Sequence, residues 1–289
     1  MARVIESSAP SHDAQIASGH HASSAAGRHA APATGARTRR AARRGWRTVR
    51  MTVHLAAGLA TTVFVFPLVS ADGRRARIRA WSAHLLRILA VDVRMAGELP
   101  PGGNLLVVAN HVSWLDIFVL NAIGPMRFVA KAELARWPAI GRLIRNVGTL
   151  FVERARRHDA HRVTVATRDA LAAGDIVAVF PEGTTTDGGT VLPFKSSLLQ
   201  PIVDAKGALL PVAFRYRDHD GRASTAAAYA GDTTFLESFW SICGERSLAV
   251  DLVVTDALPA AERRRHDLAR EAETAIRAAL GRGQVLPFA

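Results

Sequence analysis

Two apolar runs constrain the fold of this chain more than any other feature of its sequence. Ile176–Phe180 reads IVAVF and Leu209–Phe214 reads LLPVAF, and neither run alternates between apolar and polar residues. A strand with one face in water alternates, whereas a strand covered by helices on both faces is apolar throughout. The two runs therefore predict buried central strands in an α/β domain.

The chain from residue 92 to residue 289 alternates short strand patterns with helical patterns. Such alternation favours a mixed or mostly parallel sheet flanked by helices, in two or three layers. Strands are expected near residues 92–96, 104–109, 126–130, 149–152, 175–180, 209–215 and 247–254, and helices near 116–122, 132–145, 158–173, 196–205 and 261–280. Pro211 indicates an edge or first-strand position for its strand, because proline has no amide hydrogen to donate.

Composition and motif content argue against several classes of protein. The sequence has no G-x-G-x-x-G, Walker A or G-x-S-x-G motif, which disfavours dinucleotide enzymes, P-loop enzymes and serine hydrolases. The formal net charge of +12 comes almost wholly from arginine, but no nucleic-acid recognition motif accompanies it. An anionic membrane surface is therefore expected as a partner, and nucleic acid is not. Cys243 is the only cysteine and is expected to be a core thiol, and no metal site is expected.

Three segments of different composition precede the α/β domain. Residues 1–36 are poor in large apolar side chains and are expected to form a disordered tail. Residues 37–50 hold seven arginines and no acid, which is typical of a basic juxtamembrane segment or of a nucleic-acid-binding arm. Residues 51–91 join the apolar run Met51–Val69 to a basic amphipathic helix, which predicts a membrane-associated helical hairpin.

The charges around the apolar run favour one orientation of this hairpin. Arginines flank Met51–Val69 on both sides, so a single span would place one cluster on the translocated face, against the positive-inside tendency. A hairpin with both ends on the cytoplasmic face of the inner membrane avoids this conflict. A single true span is the alternative.

A histidine and an aspartate follow one of the predicted strands. Asn110–Asp116 reads NHVSWLD and comes directly after the apolar run NLLVVA. In one interpretation Ser113 caps the next helix and Asp116 is the acid of a capping box. In the other, His111 is a general base and Asp116 orients its ring. Residues five apart do not share a helix face, so the second interpretation requires a turn between them.

Two other predicted strands end on basic residues. Lys131 ends the run FVAK, and Arg154 follows the run TLFV. A guanidinium at a strand end is suited to binding phosphate. The alternatives are a snorkelling surface lysine and an arginine that is solvated or paired with Glu153.

A carboxylate lies at the end of the first buried run. Glu182 follows Phe180-Pro181, Gly183 permits a backbone turn, and three threonines come next,. A plain turn has the same composition, yet a carboxylate beside a glycine loop often binds a substrate hydroxyl in α/β folds. Lys195 lies shortly after this loop, in front of a predicted helix.

Four ordered motifs resemble those of the glycerolipid acyltransferases, the lysophosphatidic acid acyltransferase family. They are Asn110–Asp116, Phe151–Arg154, Phe180–Thr184 and Leu210–Val212, and the resemblance spans about residues 48–255. It implies transfer of a fatty acyl group from an acyl carrier protein (acyl-ACP) or coenzyme A (acyl-CoA) thioester to the free hydroxyl of a lysolipid. The implied partners are this acceptor and the thioester co-substrate, with no further cofactor.

The resemblance also implies a role for each matching residue. His111 takes the proton of the acceptor hydroxyl, Asp116 orients the imidazole, and no covalent acyl-enzyme forms. Glu182 and Gly183, with Thr184 after them, match the family's acceptor-binding motif, and Arg154 matches its phosphate-contacting arginine. Lys131 and Lys195 lie in flanking positions, where they would add positive charge.

One position departs from the family pattern. Members that act on glycerol phosphates commonly carry arginine after Glu-Gly-Thr, where this chain has Thr185. Its Glu-Gly-Thr-Thr sequence resembles a branch that includes lyso-ornithine lipid acyltransferases. The expected reaction converts 1-acylglycerol-3-phosphate to phosphatidic acid, and a lyso-ornithine lipid or another lysophospholipid is the alternative acceptor. Two other function classes stay open: a non-catalytic membrane-binding protein, and a thioesterase or lysophospholipase that uses the same pair on water.

Overall fold

An N-terminal pair of helices precedes the sheet. The computed structural model describes residues 33–136, 141–142, 145, 149–152 and 157–281, so most of the predicted tail lies outside it. Helix α1, Ala33–Ala60, continues into a π-helical turn, Thr61–Val65, and a 3₁₀ turn, Phe66–Leu68. Helix α2, Ala71–Leu89, follows. Because α1 begins at Ala33, the end of the predicted tail and the whole basic segment belong to one helix.

The two helices fold back on each other where the hairpin is expected. The ring of His54 stacks on Trp81 with a centroid distance of 4.5 Å, and Trp81 Nε1 donates to the carbonyl oxygen of His54 at 3.2 Å. The stretch Gly35–Leu68 is long and apolar enough to cross a membrane, and 28% of its apolar window is buried. The greater part of that window therefore faces away from the protein.

The described strands form one eight-stranded sheet. They are β1 Val91–Ala96, β2 Leu105–Ala109, β3 Arg127–Lys131, β4 Leu150–Val152, β5 Ile176–Val179, β6 Ala208–Arg217, β7 Leu248–Val254 and β8 Leu258–Pro259. The order is β1-β7-β6-β2-β5-β3-β4, with β8 pairing β6. Only the β6 pairs with β7 and β8 are antiparallel. The predicted mixed, mostly parallel sheet is confirmed.

Helices cover both faces of this sheet. They are α3 Asp116–Ile123, α4 Arg157–Ala172, α5 Gln200–Asp204, α6 Phe235–Gly244 and α7 Arg265–Gly281, with 3₁₀ turns at Ala132–Arg136 and Ser196–Leu199. Along β6, Leu210 and Phe214 join the core beneath α2 and α3, whereas Leu209 and Ala213 join the core beneath α4 and α7. The absence of alternation in the central runs thus has the expected cause, burial on both faces.

Three local expectations differ from the structure. The helix predicted over 132–145 begins as a 3₁₀ turn, and residues 137–140 lie outside the description. Helix α6 occupies a segment in which no helix was placed. Pro211 lies in the interior strand β6, not at an edge. It is tolerated there because β6 changes partner at this point, from β8 at Leu209 to β7 at Val212.

Arginines of α1 bind the carboxyl end of α6. We call Arg43, Arg44 and Arg47 the arginine clamp. Arg43 Nη2 donates to the Gly244 carbonyl at 2.9 Å, Arg44 Nε to Trp240 at 3.0 Å, and Arg47 to the carbonyls of Glu245 at 2.7 Å and Arg246 at 3.1 Å. Cations at a helix carboxyl end satisfy its last carbonyls and its dipole. Part of the predicted juxtamembrane charge is therefore used inside the protein.

Candidate active site

The site begins where β2 ends beside β6. Because these strands are parallel, their carboxyl ends meet at the same edge of the sheet. The fully buried side chain of Asn110 bonds both backbone groups of Phe214, accepting from its N–H at 2.8 Å and donating to its carbonyl at 3.1 Å. Asn110 therefore fixes the point at which the chain leaves the sheet, and His111 follows it.

His111 and Asp116 are in direct contact. Nδ1 of His111 lies 2.8 Å from Oδ2 of Asp116, whose side chain is fully buried, while the imidazole is 18% exposed. A proton on Nδ1 satisfies the carboxylate, which assigns the free lone pair to Nε2. The ring also stacks on Phe180 at a centroid distance of 3.8 Å. The imidazole is thus held on one edge and one face.

The carboxylate of Asp116 also organises the turn that separates it from His111. Its Oδ2 accepts the N–H groups of Val112 at 2.8 Å and Ser113 at 3.0 Å. The bond to Ser113 is the acid half of a capping box, but the hydroxyl of Ser113 accepts from Leu115 N–H and α3 begins only at Asp116. The capping and orienting interpretations both describe this one carboxylate.

A tyrosine that the sequence analysis did not single out reaches the same carboxylate. Tyr216, the second-last residue of β6, donates its O–H to Oδ1 of Asp116 at 2.7 Å. Burial raises the pKa of Tyr216 well above its usual value, and the negative charge of Asp116 raises it further. The phenol is therefore a neutral donor at any working pH.

Glu182 bonds two backbone N–H groups of the protein. Its side chain is buried, and its two oxygens accept backbone N–H groups, Oε1 from His111 and Oε2 from Leu192, each at 2.8 Å. Burial raises the pKa of Glu182, and these two bonds oppose the rise. The carboxylate thus ties the loop after β5 to the backbone of His111, and its role in acceptor binding stays a prediction.

The glycine after Glu182 has the conformation that its position requires. Gly183 has a φ of +76°, and a Cβ there would collide with Nζ of Lys195 and lie 3.1 Å from its Cε. The exposed Lys195 thus places its ammonium over this glycine, beside the loop that Glu182 holds. Thr184 is exposed, and the hydroxyl of Thr185 donates to the carbonyl of Tyr229.

Some predicted site groups are committed elsewhere or lie outside the described residues. The N–H of Gly183 donates to the Phe180 carbonyl at 3.0 Å, so this amide is already bonded within the loop. Lys131 ends β3 as predicted, but its side chain is outside the description, as is all of Arg154. Within the described ranges, no group of three or more His, Cys, Asp or Glu residues could hold a metal ion.

A cleft adjoins the histidine segment. Its volume is about 510 Å³, and it lies between residues 225–233 and α6, with Asp232, Glu237 and Ser238 in its wall. Trp114 Nε1 donates to the hydroxyl of Ser238 at 3.2 Å, and the Tyr229 N–H donates to the Val112 carbonyl at 2.9 Å. The cleft is thereby attached to two residues of the turn between His111 and Asp116.

The geometry defines a class of enzyme before any comparison is made. A partly exposed imidazole, oriented by a buried carboxylate at the carboxyl edge of an α/β sheet, is equipped to remove a proton from a bound hydroxyl. The buried hydroxyl of Ser113 and the buried thiol of Cys243 are not presented to it. Burial also raises the pKa of Cys243 to about 11. The arrangement therefore suits general-base chemistry on a bound hydroxyl, and neither Ser113 nor Cys243 is exposed there as a nucleophile.

Comparison with known proteins supports this class and narrows it. The family model described as Acyltransferase matches residues 90–215. The 1-acyl-sn-glycerol-3-phosphate acyltransferase of Neisseria gonorrhoeae is 39% identical over 186 residues, which are 64% of this chain and 72% of that protein. The lyso-ornithine lipid O-acyltransferase of Pseudomonas aeruginosa is 35% identical over 241 residues, covering 81% and 92% respectively. The chain belongs to the acyltransferase family, and it is an O-acyltransferase.

A solved structure shows the same fold. The crystal structure of the 1-acyl-sn-glycerophosphate (LPA) acyltransferase from Thermotoga maritima superimposes with a TM-score of 0.68 at 21% identity. The match covers 86% of this chain and 99% of that one, so it includes the N-terminal helices as well as the sheet.

Proposed function

We propose that this enzyme acylates the free hydroxyl of a lysolipid from an acyl-ACP or acyl-CoA thioester, with 1-acylglycerol-3-phosphate as the leading acceptor. The observation that carries the proposal is the 2.8 Å contact between His111 Nδ1 and the buried Asp116, which leaves Nε2 to act. As the hydroxyl oxygen attacks the thioester carbonyl, Nε2 takes its proton. The carbon–sulfur bond then breaks, and the imidazolium returns the proton to the leaving thiolate.

Two features support a direct transfer without an acyl-enzyme. Ser113 is fully buried and its oxygen accepts the Leu115 N–H. Cys243 is buried at the carboxyl end of α6, and its raised pKa keeps it protonated. General-base catalysis supplies about 10² to 10⁴ in rate, so positioning of the two substrates must supply the rest.

Positive charge beside the site supports a phosphate-bearing acceptor. Lys195 places its ammonium over Gly183, next to the loop that Glu182 ties to His111. Lys131 and Arg154 are proposed to add charge at the ends of neighbouring strands. The relatives named 1-acyl-sn-glycerol-3-phosphate acyltransferase point to the same acceptor.

A specific observation favours lyso-ornithine lipid as the second candidate acceptor. Thr185 replaces an arginine of the family pattern and uses its hydroxyl on Tyr229. The adjoining cleft carries the carboxylates of Asp232 and Glu237, which attract an ammonium group and repel a phosphate. Relatives named lyso-ornithine lipid O-acyltransferase match along most of their length.

We propose that α1 and α2 bind the cytoplasmic face of the inner membrane. Large apolar side chains are exposed along the first helical segment, with Trp46 64%, Phe64 71% and Leu68 82% exposed. Exposed apolar residues at helical spacing beside arginines are suited to the interfacial layer of an anionic membrane. Thiol labelling of the N-terminal segment from outside the cytoplasmic membrane would contradict this orientation.

The experiment that tests the proposal uses the purified full-length enzyme in mixed micelles. Each acceptor is supplied separately with acyl-ACP or acyl-CoA, and product formation is compared between wild type, His111→Ala and His219→Ala. His219 is a surface histidine beside Asp220 and serves as the matched control. We expect at least about a 10²-fold loss for His111→Ala alone. Near-normal turnover by His111→Ala would refute the general base, and release of free fatty acid without acceptor would indicate a thioesterase.

A further inference from the structure

We propose that Tyr216 is a positioning residue of this acyltransferase, which sets the proton affinity of His111 through Asp116. This inference rests on the proposed general-base role of His111. Among the described residues, the recorded link between Tyr216 and His111 is the carboxylate of Asp116, which both side chains contact. The phenol also bonds the side chain of Ser113.

The two oxygens of Asp116 are unequally loaded. Oδ2 faces His111 Nδ1 and also accepts the N–H groups of Val112 and Ser113. Among the described residues, Tyr216 is the donor recorded on Oδ1, at 2.7 Å. The carboxylate is fully buried, so no water replaces a missing donor without a rearrangement. Tyr216 therefore decides how much negative charge remains for His111.

The position of Tyr216 in the sheet makes this contact rigid. Tyr216 lies in β6, opposite Val250 of β7. On its other side β6 pairs in parallel with β2, which ends at Ala109, two residues before His111. The side chain of Tyr216 is 3% exposed. A phenol fixed by two strands is held more precisely than a side chain from a loop, because the ladder bonds determine its origin.

Three titratable groups lie around the His111–Asp116 pair. Tyr216 approaches from β6, and its raised pKa keeps it neutral. Glu182 approaches from the loop after β5 and binds the backbone N–H of His111. Lys195 lies over Gly183 on the far side of that loop. Of these groups, only Tyr216 donates to the carboxylate that orients the ring.

Removing the phenol hydroxyl has a definite sign. With one donor fewer, Asp116 carries a more concentrated negative charge, which favours the protonated imidazole. A general base must be unprotonated to act, so the acidic limb of the pH–rate profile moves to higher pH. Loss of the Tyr216–Asp116 hydrogen bond also loosens Asp116 and, with it, the imidazole ring of His111,. We expect kcat to fall about tenfold, with little change in the KM for the thioester or for the acceptor.

The test compares Tyr216→Phe with a matched core variant. Val250→Ala removes buried volume directly opposite Tyr216 without removing a hydrogen bond. Rate profiles from acid to neutral pH, kcat, both KM values and thermal unfolding are measured for each protein in mixed micelles. We expect only Tyr216→Phe to move the acidic limb. Replacement of Tyr216 by 3-fluorotyrosine, whose more acidic phenol is a stronger donor, is expected to move the limb to lower pH.

Each outcome bears on one proposal. If Tyr216→Phe lowers kcat without moving the acidic limb of the pH–rate profile, it behaves as a change in packing such as Val250→Ala is expected to behave. Tyr216 is then only structural, and the inference fails. If Tyr216→Phe does not fold, the 3-fluorotyrosine protein decides, and an unmoved limb overturns the inference. If His111→Ala stays active, the proposed general base itself is refuted. If His111→Ala is inactive but the Tyr216 variants leave the acidic limb unmoved, only the proposed role of Tyr216 is refuted.

Discussion

Asp116→Asn separates the charge of this residue from its geometry. The carboxylate accepts N–H groups from His111, Val112 and Ser113 on Oδ2 and the phenol of Tyr216 on Oδ1. Asparagine can retain all four contacts. Its carbonyl oxygen takes the place of Oδ2, and its NH₂ group donates to the oxygen of Tyr216. The phenol proton then turns to the hydroxyl of Ser113, the other side chain that Tyr216 bonds. The substitution therefore removes the negative charge and little else.

The expected effect on catalysis follows from the loss of the counter-charge. Unit charges about 4 Å apart attract by about 4 kcal/mol at an effective dielectric constant of ~20. The dipole of the asparagine amide recovers part of this energy when the imidazolium forms. We therefore expect kcat to fall by about 10² to 10³, equivalent to roughly 3–4 kcal/mol of transition-state stabilisation.

Alanine at this position would give an ambiguous result. It would leave the N–H groups of Val112 and Ser113 and the O–H of Tyr216 buried without their recorded partner. At about 1–3 kcal/mol each, three such groups cost at least about 3 kcal/mol. That is a large part of a total stability of about 5–15 kcal/mol, so folding and catalysis would change together.

The assay measures kcat of purified Asp116→Asn with saturating thioester and acceptor, alongside thermal unfolding of the same preparation. We expect the unfolding midpoint to move by only a few degrees, since the hydrogen-bond count is kept. If the variant unfolds like wild type and its kcat stays within about threefold of wild type, the charge of Asp116 is not required and the reasoning is refuted.

Two further predictions have matched controls in this chain. Gly183→Ala places a Cβ against Lys195 at positive φ, and we expect it to lower activity several-fold. The control is Gly221→Ala, which is also at positive φ but has open space around it. It incurs only the backbone cost of about 1–2 kcal/mol. Equal activities would show that the position of Lys195 is unimportant. Arg47→Met is expected to lower stability by about 2–3 kcal/mol in thermal unfolding, because the buried carbonyls of Ile242 and Cys243 and the part-buried carbonyls after them lose their donor,. The control Arg50→Met loses only a cation–π contact with Trp46, worth about 0.5–1 kcal/mol,, and an equal effect of the two would contradict the arginine clamp.

The contact between His111 and Asp116 could be predicted from the sequence, whereas the contacts that support this pair could not. His111 and Asp116 are five residues apart with turn-forming residues between them, so their proximity is a local property. Tyr216 is 100 residues from Asp116. Its contact depends on the pairing of β6 with β2 and on which face of β6 each residue occupies. No local pattern encodes that register, although a tyrosine ending a buried strand was a usable signal.

The helices show the same division between local and distant information. Helix α6 has a complete capping box, Thr234 with Glu237, directly before an apolar run, and that signature was readable from the sequence. The arginine clamp was not, because Arg47 bonds carbonyls about 200 residues away. A run of arginines indicates surface charge by default. Only the fold shows that its central members cap a helix.

Helix α6 contacts both α1 and the turn between His111 and Asp116. At its carboxyl end Gly244 and the residues after it bind the arginine clamp of α1. Nearer its amino end, Ser238 accepts the Trp114 indole N–H, three residues after His111. One helix of 10 residues therefore contacts α1 at its carboxyl end and the turn after His111 nearer its amino end. Because α1 holds the carboxyl end of this helix, it supports the element against which Trp114 and the adjoining cleft are held.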